Sequence, residues 1–208
     1  MQLVQGRALW TFILTLSWLW GGVSVGDSRQ PRMGIFTKPD ARIDLSREFA
    51  DSDGNRGALS SLLTPNRPFI LVPVFYRCPR LCGLTVSGVV DLINSSRLKL
   101  GEDYSVIFYS FNPEDTRRDA AEKRERMIAR ISRKPTSPSA VQFLTADPKT
   151  ISQINDELGF RVRYADKELE HSSAIFIATS KGRVIRYFAG VEFRADAVTA
   201  ALVSAQGG

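Results

Sequence analysis

Runs and alternations of apolar residues outline the chain. Ile43 and Leu45 alternate with polar neighbours, and Asp53-Gly54-Asn55 is a turn signal, which predicts a short hairpin across roughly 42–58. Phe69 to Tyr76 is a continuous apolar run, the mark of a strand covered on both faces. Pro73 inside it predicts a local irregularity, because proline cannot donate to a ladder. A helical spacing follows from about 80 to 97, with Leu81, Leu84, Val89, Leu92 and Ile93 on one side and Pro79 suited to the first turn. Tyr104 to Phe111 is a second buried strand.

Arg117 to Arg133 predicts a long charged helix whose inner stripe is Ala120, Ala121, Met127, Ile128 and Ile131. Val141 to Leu144 is a short strand, and Lys149 to Leu158 a helix closed by Gly159. Ser173–Ala178 and Arg183–Phe188 form an antiparallel pair through Ser180-Lys181-Gly182, and a last helix covers about Ala195 to Ala205. Strands alternating with helices, then an antiparallel pair, predict an α/β domain. The plan is thioredoxin-like, a central mixed β-sheet flanked by helices with an N-terminal β-hairpin. In such sheets chemistry gathers outside the carboxyl ends of the strands.

The first residues read differently. Arg7 precedes an apolar run over residues 8–20, and small residues follow at Gly21, Gly22, Ser24 and Gly26. This is the form of a secretory signal, with cleavage expected near Gly26-Asp27. Carried on to Val25, the run reaches the lower limit of a membrane span, so a retained anchor over 8–25 is the alternative. No cysteine follows, which excludes a lipoprotein signal. The expected division is 1–26 signal or anchor, 27–41 linker and 42–208 folded domain. The expected location is the periplasm, free or anchored to the inner membrane.

Charge narrows the partners only slightly. Arg7 is the one charged residue of the leader, which leaves 27 basic against 22 acidic residues. No basic-aromatic motif accompanies that excess, so nucleic acid is not an expected partner. The segment from Arg117 to Lys134 carries eight basic and three acidic residues. It reads as a solvated helix face, with docking of an acidic partner as the functional alternative. There is no glycine-rich phosphate loop, and a single histidine supports no Ser–His–Asp arrangement.

Candidate chemistry centres on the chain's two cysteines, Cys78 and Cys82, in Tyr76-Arg77-Cys78-Pro79-Arg80-Leu81-Cys82-Gly83. The pair stands at the end of the first core strand and the start of a helix. A helix N-terminus favours anions, so both thiol pKa values are expected to fall. At i, i+4 spacing the Cβ atoms lie ~5–6 Å apart, close enough for both sulfurs to reach one metal at ~2.3 Å. A disulfide needs Cβ atoms near ~3.8 Å, which favours metal binding with redox capability over dithiol exchange alone. A purely structural disulfide closing so short a loop would stabilise little.

The only histidine, His171, stands just before the antiparallel strand pair. A lone histidine is by default a surface residue. Here its place lets a loop carry it over the cysteine helix. Two thiolates and one imidazole suit Cu(I), or Cu(II) with an added oxygen ligand, whereas structural zinc wants a fourth protein ligand.

Strand–Tyr-x-Cys-Pro-x-x-Cys, then Asn112-Pro113-Glu114-Asp115-Thr116 after the second core strand, then His171-Ser172 before a strand and Gly182-Arg183-Val184-x-Arg186-Tyr187-Phe188, together resemble the Sco/SenC family. The resemblance covers about residues 40–204. It implies a thioredoxin-like copper protein that helps assemble the Cu(A) centre of cytochrome c oxidase, with Cys78, Cys82 and His171 as metal ligands. It also implies oxidase subunit II or another copper protein as partner, and a monomer is expected. Two positions depart from the family pattern: its aspartate before proline is Asn112, and its proline after the second cysteine is Gly83. The alternative function is a thiol–disulfide reductase acting on the oxidase copper-site cysteines, with Cys78 and Cys82 as a redox pair and Cys78 attacking.

Overall fold

The computed structural model describes residues 33–78, 81–165 and 168–208; the expected leader, including the 8–25 segment, lies outside them. Among the described residues no helix is long and apolar enough to cross a membrane. The chain opens with strand β1 (Gly34–Ile35), the hairpin β2 (Glu48–Ala50) and β3 (Arg56–Ala58), and the one-turn helix α1 (Leu59–Leu62). Strand β4 (Phe69–Val74), helix α2 (Leu81–Ser95), strand β5 (Ser105–Ser110), helix α3 (Arg117–Ile128), strand β6 (Val141–Leu144) and helix α4 (Pro148–Leu158) follow. Short strands β7 (Phe160–Arg161), β8 (Arg163–Ala165) and β9 (Glu168–Glu170) lead into β10 (Ala174–Ala178), β11 (Val184–Ala189) and helix α5 (Ala195–Gln206).

Five strands make the central sheet, in the order β11-β10-β4-β5-β6. β4, β5 and β6 run parallel, and β10 is antiparallel to both β4 and β11. Every residue of β4 and β5 is buried, as a strand covered on both faces requires. α3 lies over β6, α5 over β10 and β11, and α2 meets both helices. The architecture is the expected thioredoxin-like one, with the hairpin β2–β3 inside the range read for it.

Pro73 causes no irregularity. β4 keeps its register with β5 straight through it, Pro73 opposite Tyr109. Its pairing with β10 ends at Leu71, so the missing N–H leaves no ladder bond unmade on that side.

Helix α3 stops earlier than its apolar stripe suggests, whereas α4 ends where its sequence places it. α3 is held at its start by a capping box, in which Thr116 accepts from the Asp119 N–H and the Asp119 side chain accepts in return. After Ile128 the chain tightens, with the Arg130 N–H donating to the Met127 carbonyl, and Ile131 is buried from a turn rather than from the helix. α4 begins at Pro148 with Asp147 as its cap and ends on left-handed Gly159, where a Cβ would lie 1.9 Å from the Phe36 carbonyl oxygen.

The described part of the expected linker packs on the domain. β1 pairs antiparallel with β7, and the Val184 N–H donates to the Ala41 carbonyl at 2.8 Å. These short pairings lack the apolar run that would announce them.

Gly88 on α2 allows the segment after β11 to come close. A Cβ there would sit 1.8 Å from the Val191 carbonyl oxygen. Gly88→Ala is therefore expected to force that backbone away and destabilise the fold by about 1–3 kcal/mol. Denaturant unfolding checks this; a variant as stable as the parent would refute the close contact.

Candidate metal centre

The sheet brings the three sequence-predicted residues together. Cys78 follows β4, and its N–H closes a tight turn onto the Phe75 carbonyl at 3.1 Å. Cys82 is the second residue of α2. His171 comes from the other end of the chain, between β9 and β10. β10 runs against β4 with Phe176 opposite Leu71, so the residues preceding β10 lie beside the carboxyl end of β4.

The two Sγ atoms and a histidine ring nitrogen all lie within 4.8 Å of one another. His171 Nε2 is 3.5 Å from Cys82 Sγ. The other nitrogen, Nδ1, is 3.0 Å from the Ser172 carbonyl oxygen. A carbonyl only accepts, so this bond places the proton on Nδ1 and turns the Nε2 lone pair toward the sulfurs. The Phe111 ring packs against the imidazole with centroids 4.8 Å apart. Thr85 Oγ1 donates to Ser173 Oγ at 2.9 Å, tying α2 to the segment that carries His171. Among the described residues no fourth cysteine, histidine or carboxylate joins the cluster. The donor set is thus two soft thiols and one imidazole, which fits copper better than a closed zinc site.

The two thiols are not equivalent, contrary to the expectation that both would be acidified. Cys82 is 1% exposed, and burial pushes its thiol pKa up strongly. The Phe75 N–H, which donates to Cys82 Sγ at 3.2 Å, pulls the other way and loses to desolvation. Cys78 is half-buried and faces an open cleft. Both are free thiols.

Asp115 fixes the loop that carries Cys78. Its Oδ2 accepts from the Tyr76 N–H and from Ser110 Oγ, both at 2.6 Å, and its Oδ1 accepts from Arg77 Nε at 3.1 Å. The Tyr76 side chain anchors the same loop from below, donating from its hydroxyl to the Leu144 carbonyl at 2.7 Å. Burial raises its pKa well above the ordinary value, so the phenol stays neutral and remains a donor. The Asn112-Pro113-Glu114-Asp115-Thr116 motif marks Asp115 in the sequence, but only the fold reveals what it grips. The two departures from the family pattern are accommodated locally. Asn112 Oδ1 accepts from the Glu114 N–H at 3.3 Å, a turn bond that needs no charge. At Gly83 an added Cβ would meet nothing within 4 Å.

The family described as SCO1/SenC matches the chain over residues 38–206. No curated protein matches it. Among solved structures, a candidate electron transfer protein from Aquifex aeolicus VF5 is 22% identical with a TM-score of 0.72, covering 82% of this chain and 95% of its own. BsSco, a member of the Sco family of cytochrome c oxidase assembly proteins in which a disulfide switch was identified, is 20% identical with a TM-score of 0.60, covering 82% and 97%. The copper-bound ScoI of Arabidopsis thaliana is 20% identical with a TM-score of 0.55, covering 76% and 94%. At these identities the structural likeness establishes the shared fold.

Proposed function

The chain belongs to the SCO1/SenC family, and on that premise we propose that it is a copper metallochaperone whose cargo is held by Cys78, Cys82 and His171. The observation that carries this reading is the convergence of two thiols and one imidazole, their donor atoms within 4.8 Å of one another. Such a three-donor set suits Cu(I), and an added oxygen ligand would accommodate Cu(II). The recipient fitting this reading is the Cu(A) site of cytochrome c oxidase subunit II, or another copper protein, loaded by exchange of ligands one at a time. The protein would act as a monomer in the periplasm, free or tethered to the inner membrane through residues 8–25.

Binding needs deprotonated thiols. Cys82 is buried and held protonated, so copper capture there must release a proton. Cys78, on the open side, is the natural first contact for incoming copper and the last for outgoing copper.

Copper titration of the reduced protein tests the assignment. The loaded protein should show thiolate-to-copper charge-transfer absorption, and His171→Ala should shift that band and weaken binding. An unchanged spectrum and affinity in His171→Ala would remove the histidine from the site.

The contrast in exposure favours a second reading, a thiol–disulfide reductase. The Cys78 thiolate would attack one sulfur of a partner disulfide and release the other as a thiolate. Cys82, after losing its proton, would then displace the attached partner sulfur, leaving a Cys78–Cys82 disulfide and a fully reduced partner. That activity should survive His171→Ala almost intact, which separates the two readings.

A further inference from the structure

A cleft of about 690 Å³ opens between the loop carrying Cys78 and helix α3. Its wall includes Arg77, Cys78, Gly83, Lys123, Arg126 and Arg130. Two of these cations are already committed. Arg77 reaches Asp115 at 3.1 Å, and Arg126 reaches Glu122 at 3.0 Å. The acidic residues of the wall are committed too. Asp119 closes the capping box of α3, and Glu122 lies between Arg118 and Arg126, each at 3.0 Å. Lys123 and Arg130 have no carboxylate partner among the described residues, and Arg130 is steadied by its 3.1 Å bond to Ser87 Oγ. The cleft therefore presents two uncompensated positive charges beside the more open thiol.

An exposed apolar side chain adjoins its wall along α2. Leu84 is 56% exposed, one of few large apolar side chains so placed among the described residues. It follows Gly83, beside which there is open space. An exposed leucine one residue along the chain from the wall of a cationic cleft leaves an apolar surface free for a partner. It is suited to a partner whose surface supplies the opposite charge.

We propose that this cleft docks an acidic segment of the copper recipient, with its carboxylates on Lys123 and Arg130 and an apolar residue against Leu84. A recipient thiol flanked by that segment would thereby be delivered to Cys78. The proposal rests on the copper reading for its biological sense, but the binding surface can be tested apart from it.

The probe is a fluorescein-labelled peptide of Glu and Leu residues around one serine, which lacks a thiol and so forms no covalent product. A peptide with Lys in place of Glu is the counter-probe. Anisotropy with the reduced full chain should show preference for the acidic peptide, declining with added salt. K123E/R130E should weaken that binding at least about tenfold, while K149E/K181E, which changes two lysines that do not line the cleft, should change it by less than about twofold. Leu84→Ser should weaken it without altering the salt dependence. The proposal is overturned if the wild type does not prefer the acidic peptide, or if both double variants lose binding equally. Capture by vesicles containing phosphatidylglycerol but not by the peptide would also overturn it. Copper titration of the same proteins is read separately. Copper binding retained and peptide binding lost in K123E/R130E supports the cleft; peptide binding retained overturns it. A wild type that binds the peptide but not copper would sink the copper reading and leave the docking surface standing.

Discussion

Cys82→Ser should remove tight copper binding while leaving the fold in place. Cys82 is buried at 1% exposure, and its Sγ is 3.5 Å from His171 Nε2. Serine keeps nearly the same shape and can still accept from the Phe75 N–H, which donates to the sulfur at 3.2 Å in the native protein. The metal-free variant should therefore unfold within about 1 kcal/mol of the parent. Copper is another matter, because a neutral hydroxyl does not replace a soft thiolate. Loss of groups that only orient a metal ligand typically costs 10–100-fold in affinity, so loss of a ligand itself should exceed about 100-fold. Competitive titration against a copper chelator measures this. Affinity within tenfold of the parent would exclude Cys82 from the site and leave the redox reading in front.

Asp115→Ala should be the most destabilising change at the site that touches none of the three donors. The Asp115 side chain is 0% exposed and accepts from the Tyr76 N–H, Ser110 Oγ and Arg77 Nε. Alanine leaves the buried Tyr76 N–H without an acceptor, at about 1–3 kcal/mol, whereas the Ser110 hydroxyl can turn to the Asn112 carbonyl 3.2 Å away. Arg77 is half-exposed and can turn to water, so its ion pair adds little. A loss of about 2 kcal/mol in denaturant unfolding is expected. Asp115→Asn should fall between alanine and the parent, since it keeps an acceptor but loses the charge. Copper affinity should fall with both, because the loop carrying Cys78 loses its grip on the end of β5. A loss below about 1 kcal/mol in the alanine variant would show that Asp115 does not hold the loop.

The large elements were legible because each has its own local signal. β4 and β5 are continuous apolar runs, and α4 carries both its cap and its terminal glycine. The cysteine pair and His171 could be singled out by their scarcity. Their encounter could not be read from spacing alone, because it depends on β10 running against β4 in one register. The asymmetry of the two thiols was hidden for a similar reason. A helix start acidifies a thiol that meets solvent, yet Cys82 faces the core, and only packing reveals which effect wins. Pairings of two or three residues, such as β1 with β7 and β8 with β9, draw their stability from neighbours that short patterns do not display. Asp115 was visible as a motif residue, but its grip on Tyr76 spans 39 positions of sequence.

The antiparallel register of β10 on β4 turns a stretch of chain into a measuring rod. From Phe176, fixed opposite Leu71, the chain counts back through Ala174, opposite Ala189, to Ser173, whose carbonyl accepts from the Gly190 N–H, so pairing holds the chain to within two residues of His171. Side chains alternate faces along an extended segment, so one insertion there would rotate the imidazole away from the sulfurs even though no ligand had changed. Strands β8 and β9 lie outside that count, and a residue added within β8 would leave the distance from His171 to Phe176 untouched. Two neighbouring segments thus differ in their tolerance of length variation, and the difference is set by strand pairing in the core rather than by the chemistry at the surface.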